Sequence, residues 1–577
     1  TFITRLLQSG IIKKEDMLRK YKEEIHCNEI VLLAYYIADV NIEAVYHDIM
    51  KPECYENYDG ICLTDTFQLN EHGDNDIFSK LFPENSERLR KQKEAPVRVI
   101  IGNPPYSQKQ KSANDNAQNL QYPGLEERIT LTYGNSDVVN RNSLHDSYIK
   151  AFRWASDRIA QFNEGGVIAY ITNSGWIDKL AFEGFRKCLE DEFTSIYVFD
   201  LKGAIRGKSG EAAKREGQNV FDIMTGVAMT FLVKNPKHHG STDIHYYNVG
   251  NFLSRVEKLN SIKKYKSLSN IPWLAISPSS KHDWINQRDG LFEVLIPAFP
   301  DKKFNLKSQS FFSLYCMGIA TNRDAWDYNY SKPKLLKNMK YTISCFNDQV
   351  EKYREAFTLD SHIKVESYVD NDPTKISWSS SLIPHVKNFR KAIFQELETK
   401  TAVYRPFMKT NLYFGDKFVH RPGQFSQLFP NSKCPNVLIG VSGLSSRLDN
   451  ISCFVTNTHS DLNCLDSGAQ YFPLYWYEEN KHKQKSLFDE GSDDDYIRRD
   501  GITDWILKEV RNRYKVKSIT KEMIFYYVYG LLHSKEYRER FAADLKKSLP
   551  RIPIVDDVNM FMDFYMYGKK LADLHLN

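Results

Sequence analysis

The sequence predicts an α/β protein: a doubly wound, mostly parallel sheet comes first, and a mixed, β-rich domain with a helical C-terminal tail follows. Three observations carry this. Over roughly the first 250 residues, short β-branched runs alternate with helical patterns, the order that builds βαβ units. From about residue 260 aromatic residues crowd into short strand-like runs separated by turns. From about residue 502 the pattern becomes helical, in TDWILKEVRNRY, KEMIFYYVYGLLHS and KEYRERFAADLKKSL. A chain of 577 residues has room for such a division, which is drawn at 1–255 and 256–577.

The elements of the first part follow in order. Residues 2–9 read as a helix, 23–30 as a short strand closing on Glu29, and 31–46 as a helix. GICLTDTF (60–67) is a strand, and VRVIIG runs into Asn103-Pro104-Pro105-Tyr106, where the prolines stop it. Residues 147–159 are helical, 165–176 extended, 182–193 helical and 195–201 extended. GVAMTFLVK (226–234) is a long apolar strand, with DIHYYNV (243–249) expected beside it. In the second part 310–320, 401–414 and 436–443 read as strands, and 481–501 as an exposed polar loop. The apolar face of EMIFYYVYGLLHS reads as core.

Composition excludes several classes. Hydrophobic residues at 42% and charged residues at 26% rule out a mainly disordered chain. Nine scattered cysteines with no CxxC pair and no histidine at ligand spacing argue against a disulfide framework or a zinc site. They read as free thiols of a cytoplasmic protein. No run reaches the ~18 apolar residues of a membrane span. A net charge of +5 is only a weak pointer to nucleic acid.

Chemistry concentrates at Asn103-Pro104-Pro105-Tyr106, directly after a strand. An exocyclic amine conjugated to a heteroaromatic ring is a poor nucleophile. An amide oxygen from Asn103 and the carbonyl of Pro104, each accepting one N–H, can draw that nitrogen toward tetrahedral geometry. The prolines preset both acceptors, and Tyr106 offers a face on which an extruded base can stack. In open α/β sheets ligands gather at the carboxyl ends of the strands, where Glu29, Asp65 and Asn103 fall. The segment 203–223 is basic and Gly-rich, with Arg206, Lys208, Lys214 and Arg215. It reads as a mobile clamp for DNA phosphates. Its GAIRGKS is one residue short of a nucleotide-binding P-loop, so an ATP site is rejected.

The strand plus NPPY resembles motif IV of DNA amino-methyltransferases, the adenine-N6 class above all. That resemblance implies a Rossmann-like methyltransferase sheet using S-adenosylmethionine. Glu29 resembles the acid that holds the cofactor's ribose hydroxyls and Ile30 the apolar contact to its adenine. Asp65 resembles the residue that binds the adenine amine, with Phe67 packing nearby. The signatures SGEAAKREGQNVF, TNRDAW, YRPF, HRPG and LKKSLPRIP are similar to the methyltransferase and target-recognition part of Type ISP and related fused Type I–II restriction–modification enzymes. This implies double-stranded DNA as partner, upstream nuclease and ATPase domains in the parent enzyme, and a monomer. Base or phosphate contacts are then expected among Arg323, Lys332, Lys334, Lys337, Arg405, Lys409, Arg421 and Gln424, although the turns at 405–407 and 421–423 have a structural reading too. The family's Gly-rich cofactor turn follows its first strand, and neither is found upstream of Thr1-Phe2. The expectation is therefore an incomplete cofactor site and weak methylation by this chain alone. Two alternatives remain: a DNA reader without catalysis, or an RNA or protein-glutamine methyltransferase using the same loop.

Overall fold

The computed structural model describes residues 1–71, 83–106, 122–136, 142–206, 208, 210–300, 309–415, 417–444, 450–480 and 495–576. The chain forms two compact units, Thr1–Gln287 and Arg288–Asn577.

The first unit contains a six-stranded sheet in the order β3-β4-β6-β5-β7-β8. Its strands are β3 (Val99–Gly102), β4 (Gly166–Asn173), β5 (Ser195–Lys202), β6 (Val227–Lys234), β7 (Asp243–Asn248) and β8 (Leu274–Ile276). β3 runs parallel to β4 and β5 parallel to β7, while β6 runs antiparallel between β4 and β5 and β8 antiparallel to β7. Two earlier strands, β1 (Cys27–Glu29) and β2 (Ile61–Leu63), form a separate parallel pair. Between them runs α1 (Leu32–Met50).

Helices cover one face of the sheet and part of the other, while Val99 and Ile101 of β3 stay exposed. On one side α3 (Ser147–Ala160) and α4 (Glu183–Glu192) bury Ile149, Phe152, Phe185 and Leu189 against Ile168, Ile196, Val198 and Leu232. The spacing of Ile149, Phe152, Ser156 and Ile159 is the helical stripe that turns α3 inward. On the other side Ile262 and Tyr265 of α5 (Arg255–Tyr265) pack with Phe199, Leu201 and Val227. A short helix, α2 (Pro123–Leu131), lies beside α3.

Three expectations change here. The sheet is mixed rather than mostly parallel, since β6 and β8 run antiparallel to their neighbours. The strand 243–249 does not pair with 226–234. Both edges of β6 are taken by β4 and β5, so β7 adds to the free edge of β5 instead. The residues from 256 to 287 belong with the first unit, because α5 covers its sheet and β8 closes its edge.

In the second unit one four-stranded sheet is ordered Cys316–Met317, Gln470–Pro473, Leu438–Val441, Cys453–Thr456, and another Tyr328–Asn329, Met408–Tyr413, Thr399–Arg405, His459–Ser460. A 28-residue helix, α6 (Lys332–Leu359), stands in a stretch of the mixed, β-rich domain where the sequence pattern locates no particular helix. It buries Leu335, Met339, Ile343, Phe346, Val350 and Tyr353 at three- and four-residue steps. The tail is helical as expected: α7 (Asp504–Tyr514), α8 (Lys521–Leu532) and α9 (Val558–Leu576), with the aromatic residues of α8 in the core. Of the expected loop at 481–501, residues 481–494 lie outside the described residues. Tyr496–Asp500 is instead a strand, paired with Tyr475–Glu479.

One buried cation organises the loop after β4. Arg186, fully buried on α4, donates to the carbonyls of His282 at 2.6 Å, Trp176 at 2.9 Å and Lys179 at 3.0 Å, and faces Asp283 at 3.5 Å. Removing one member of such an arrangement strands the others in a dry site. Arg186→Ala is expected to lower stability by about 3–5 kcal/mol, read as a shifted chemical-denaturation midpoint. A loss near zero would show that water replaces the guanidinium.

Candidate active site

β3 delivers Asn103 to the carboxyl edge of the sheet. Its last residue, Gly102, lies in register with Tyr170 of β4. A Cβ at Gly102 would sit 3.0 Å from Cε1 of the Tyr170 ring, so this close approach favours glycine. Two prolines then end the ladder, since neither carries an N–H. The chain turns back so that the Tyr106 hydroxyl lies 2.8 Å from Asn103 Oδ1 and 3.2 Å from the carbonyl oxygen of Ile171 in β4.

Burial pushes the Tyr106 hydroxyl up to about 12, so at neutral pH it is a hydrogen-bond donor. Its ring is half-buried and meets Tyr148 of α3 edge-on at 6.5 Å. Asn103 itself is exposed. Its amide oxygen has two lone pairs: Tyr106 can engage one, and the other can accept from a ligand.

The two carboxylates that resemble cofactor ligands come together at the ends of the β1–β2 pair, where Glu29 is in register with Leu63, two residues before Asp65. Glu29 Oε1 accepts from the amides of Ile30 at 3.0 Å and Val31 at 3.1 Å. This fixes the carboxylate at the start of α1 and turns its second oxygen toward other donors. A carboxylate so held suits a ligand bearing vicinal hydroxyls. Asp65 Oδ1 accepts from the Phe67 amide at 2.9 Å and Oδ2 from the Tyr122 hydroxyl at 2.6 Å. Phe67 meets the Tyr122 ring edge-on at 5.5 Å. Both carboxylates are hydrogen-bond acceptors, which is what the hydroxyls and amine of a nucleoside require.

Two other polar residues of the first unit carry no signal in the sequence. Tyr122 is separated from Asp65 by more than fifty residues of weak pattern. Asp146 looks like an ordinary helix start before α3, yet it is buried, its Oδ1 has no partner among the described residues, and burial pushes its carboxyl up to about 6.

The basic residues part company. Arg206, Lys214 and Arg215 are exposed, the last two on a short helix, Gly210–Glu216, where a mobile loop was expected. Lys208 is neutralised by Glu216 at 2.6 Å. In the second unit Arg323 is almost fully buried, donating to the carbonyls of Ser377 and Phe418 and to Ser379 Oγ. That placement makes it a structural cation rather than a surface contact. Arg405 pairs with Asp461 at 3.1 Å and lies 3.9 Å from the Tyr404 ring centroid. Arg421, Gln424 and Lys409 are exposed, as are Lys332, Lys334 and Lys337 in the opening turns of α6.

Comparison with known proteins agrees with this geometry. Residues 23–204 match the model of the Eco57I restriction-modification methylase. Residues 310–577 match the model of the Type ISP C-terminal specificity domain. Among solved structures, a nuclease-deletion mutant of the Type ISP enzyme LlaGI in complex with a DNA substrate mimic is 36% identical, with a TM-score of 0.82 over 100% of this chain and 43% of that one. The ATP-dependent Type ISP enzyme LlaBIII bound to DNA is also 36% identical, with a TM-score of 0.83, covering all of this chain and 36% of that one. The DrdV–DNA complex is 33% identical, with a TM-score of 0.81 and 53% of that chain covered. The chain thus spans about half or less of each of these relatives. No curated protein matches it. Among the described residues no helix is long and apolar enough to cross a membrane.

Tyr122→Phe removes one of the two donors that hold Asp65. The expected cost is about 1 kcal/mol, read in thermal unfolding of the chain. An unchanged midpoint would show that the pair contributes nothing to the fold.

Proposed function

We propose that the chain is the modification and recognition part of a longer, cytoplasmic restriction–modification enzyme, and that it methylates the exocyclic amine of an adenine extruded from double-stranded DNA. The observation that carries this reading is the rigid turn after β3, with Asn103 exposed and its amide oxygen tethered by Tyr106. The DNA seen with LlaGI, LlaBIII and DrdV supports the choice of partner.

The residues divide the work. Asn103 Oδ1 and the Pro104 carbonyl each accept a hydrogen from the target amine, which turns its lone pair outward from the ring. Tyr106 stacks on the base while its hydroxyl keeps the amide from rotating. Glu29 and Asp65 hold S-adenosylmethionine at its ribose and adenine ends, with Ile30 and Phe67 as apolar neighbours. When bound, that cofactor supplies an electrophilic methyl group on sulfur. Orientation, rather than a strong base, does most of the catalysis. We place the protein in solution as a monomer, with Arg421 and the exposed lysines of α6 reading or gripping DNA from the second unit.

Asn103→Ala is expected to reduce transfer of labelled methyl to DNA by about 10²–10³-fold in the complete enzyme. Nucleoside digestion should place the label on adenine. Label on cytosine, or on RNA or a glutamine peptide in place of DNA, would overturn the assignment. Tyr106→Phe keeps the ring and should lower the turnover number several-fold with little change in DNA affinity.

A further inference from the structure

Two loops at the carboxyl edge of the sheet are sewn to the same short segment, 224–226. After β4, the amide of Ser174 donates to the carbonyl of Gly226 at 2.9 Å. After β5, the amide of Arg206 donates to the carbonyl of Met224, also at 2.9 Å. A Cβ at Gly226 would collide with Ser174 Oγ and sit 3.2 Å from the Ala204 Cβ, so the three segments meet at this point. The first loop closes on itself through Asn173 Oδ1, which accepts from Gly175 at 2.8 Å, and through the Lys179 amide donating to the carbonyl of Gly175 at 3.2 Å. Arg186 fixes its far end.

This arrangement gathers cations. Lys179 lies at the surface, yet its proton affinity is lowered, first by partial desolvation and then by the nearby charges of Arg206 and Lys208. Lys208 has its own counter-charge, since Glu216 Oε1 holds it at 2.6 Å while Oε2 accepts from the amides of Gly203 and Ala204. Asp178 accepts from Asn286 at 2.8 Å. No acidic side chain pairs with Lys179 or Arg206 among the described residues. Two like charges held together without a counter-ion are unfavourable unless an anion joins them.

The position says which anion. The Tyr106 hydroxyl lies against Ile171, two residues before the Asn173 turn that leads to Lys179. The loop that bears Lys179 thus extends the same strand against which the Tyr106 hydroxyl rests. Glu29 and Asp65 belong to the separate β1–β2 pair. A nucleotide swung out of a duplex rotates about its backbone and must be kept from falling back.

We propose that Lys179 and Arg206 form a seat for a DNA phosphodiester flanking the base presented to Asn103, a site that rests on the methyltransferase reading above. Lys179 lies outside the basic stretch that marks Arg206, and Lys208 serves to brace that stretch.

The test is filter binding of this chain to fragments of an unmethylated bacterial chromosome, which contain every short recognition site. Affinity is measured across a salt series. Removing one cation from a phosphate should reduce the steepness of log K against log salt by about 0.9. Lys179→Ala and Arg206→Ala are each expected to show that reduction and several-fold weaker binding, while Lys179→Arg keeps the wild-type slope. Lys187→Ala, which alters a surface lysine paired with Asp191 on α4, should also keep it. Unchanged slopes in both alanine variants, with DNA still bound, would overturn the phosphate seat alone. Lys179→Ala that, in the complete enzyme, loses S-adenosylmethionine in equilibrium dialysis while keeping its salt slope would overturn it too, assigning the cations to the cofactor's carboxylate. Failure of the wild-type chain to retain DNA would overturn the methyltransferase reading beneath it.

Discussion

The edge of a sheet where ligands bind is built from strand ends and loops, which have few backbone partners of their own. In the first unit the loop after β4 is held by the guanidinium of Arg186, which satisfies the carbonyls of Trp176, Lys179 and His282 from inside the protein. A guanidinium suits this task because its five donors lie in one rigid plane. Its charge is met by Asp283, and the arrangement draws the residues after β8 onto α4. The same loop begins two residues beyond Ile171, the carbonyl that anchors Tyr106. The geometry of Asn103 thus depends on β4, and the loop extending β4 depends on one buried cation.

The turn at Asn103 shows how little machinery a positioning site requires. Proline rigidity, one tyrosine hydroxyl and a parallel neighbour strand fix an amide oxygen, with no charged group touching it among the described residues. An ionised residue at that point would be costly to desolvate beneath a stacked base. A neutral acceptor avoids that cost and retains its second lone pair. The raised proton affinity of Tyr106 serves the same end, because a phenolate could no longer donate to Asn103.

Much of the first unit is legible in the residues. The apolar runs at 195–201 and 226–234 are strands, and the helix at 147–159 lies within a residue of its expected bounds. These segments bury one or both faces, so their pattern is dictated by the core. Pairing is less legible: the place of β7 escapes a local reading because nothing nearby records that β6 threads antiparallel between two strands. The helix α6 escapes it because its apolar steps run among lysines and aromatics that equally suit strand–turn alternation. Within the site, Asn103 announces itself through the rarity of the motif. Tyr122 and Asp146 do not, because their roles depend on distant segments converging.

The cations show why charge alone is a poor guide to a binding surface. Arg323 and Arg405 carry the residue type that recognises bases, which is what recommends them in the sequence. Yet Arg323 spends its donors on two carbonyls and a serine, and Arg405 is committed to Asp461 and the Tyr404 ring. A guanidinium already satisfied inside the fold must give up those bonds before it can touch a phosphate or a base, at a cost comparable to what the new interaction supplies. The charges that matter are those the fold leaves without a counter-charge. Among the described residues, Arg421 in the second unit and Lys179 with Arg206 in the first meet that condition. Lys179 stands in a run of apolar and small residues, NSGWIDKLAF, where no basic cluster draws the eye. Only the convergence of two loops on segment 224–226 reveals it.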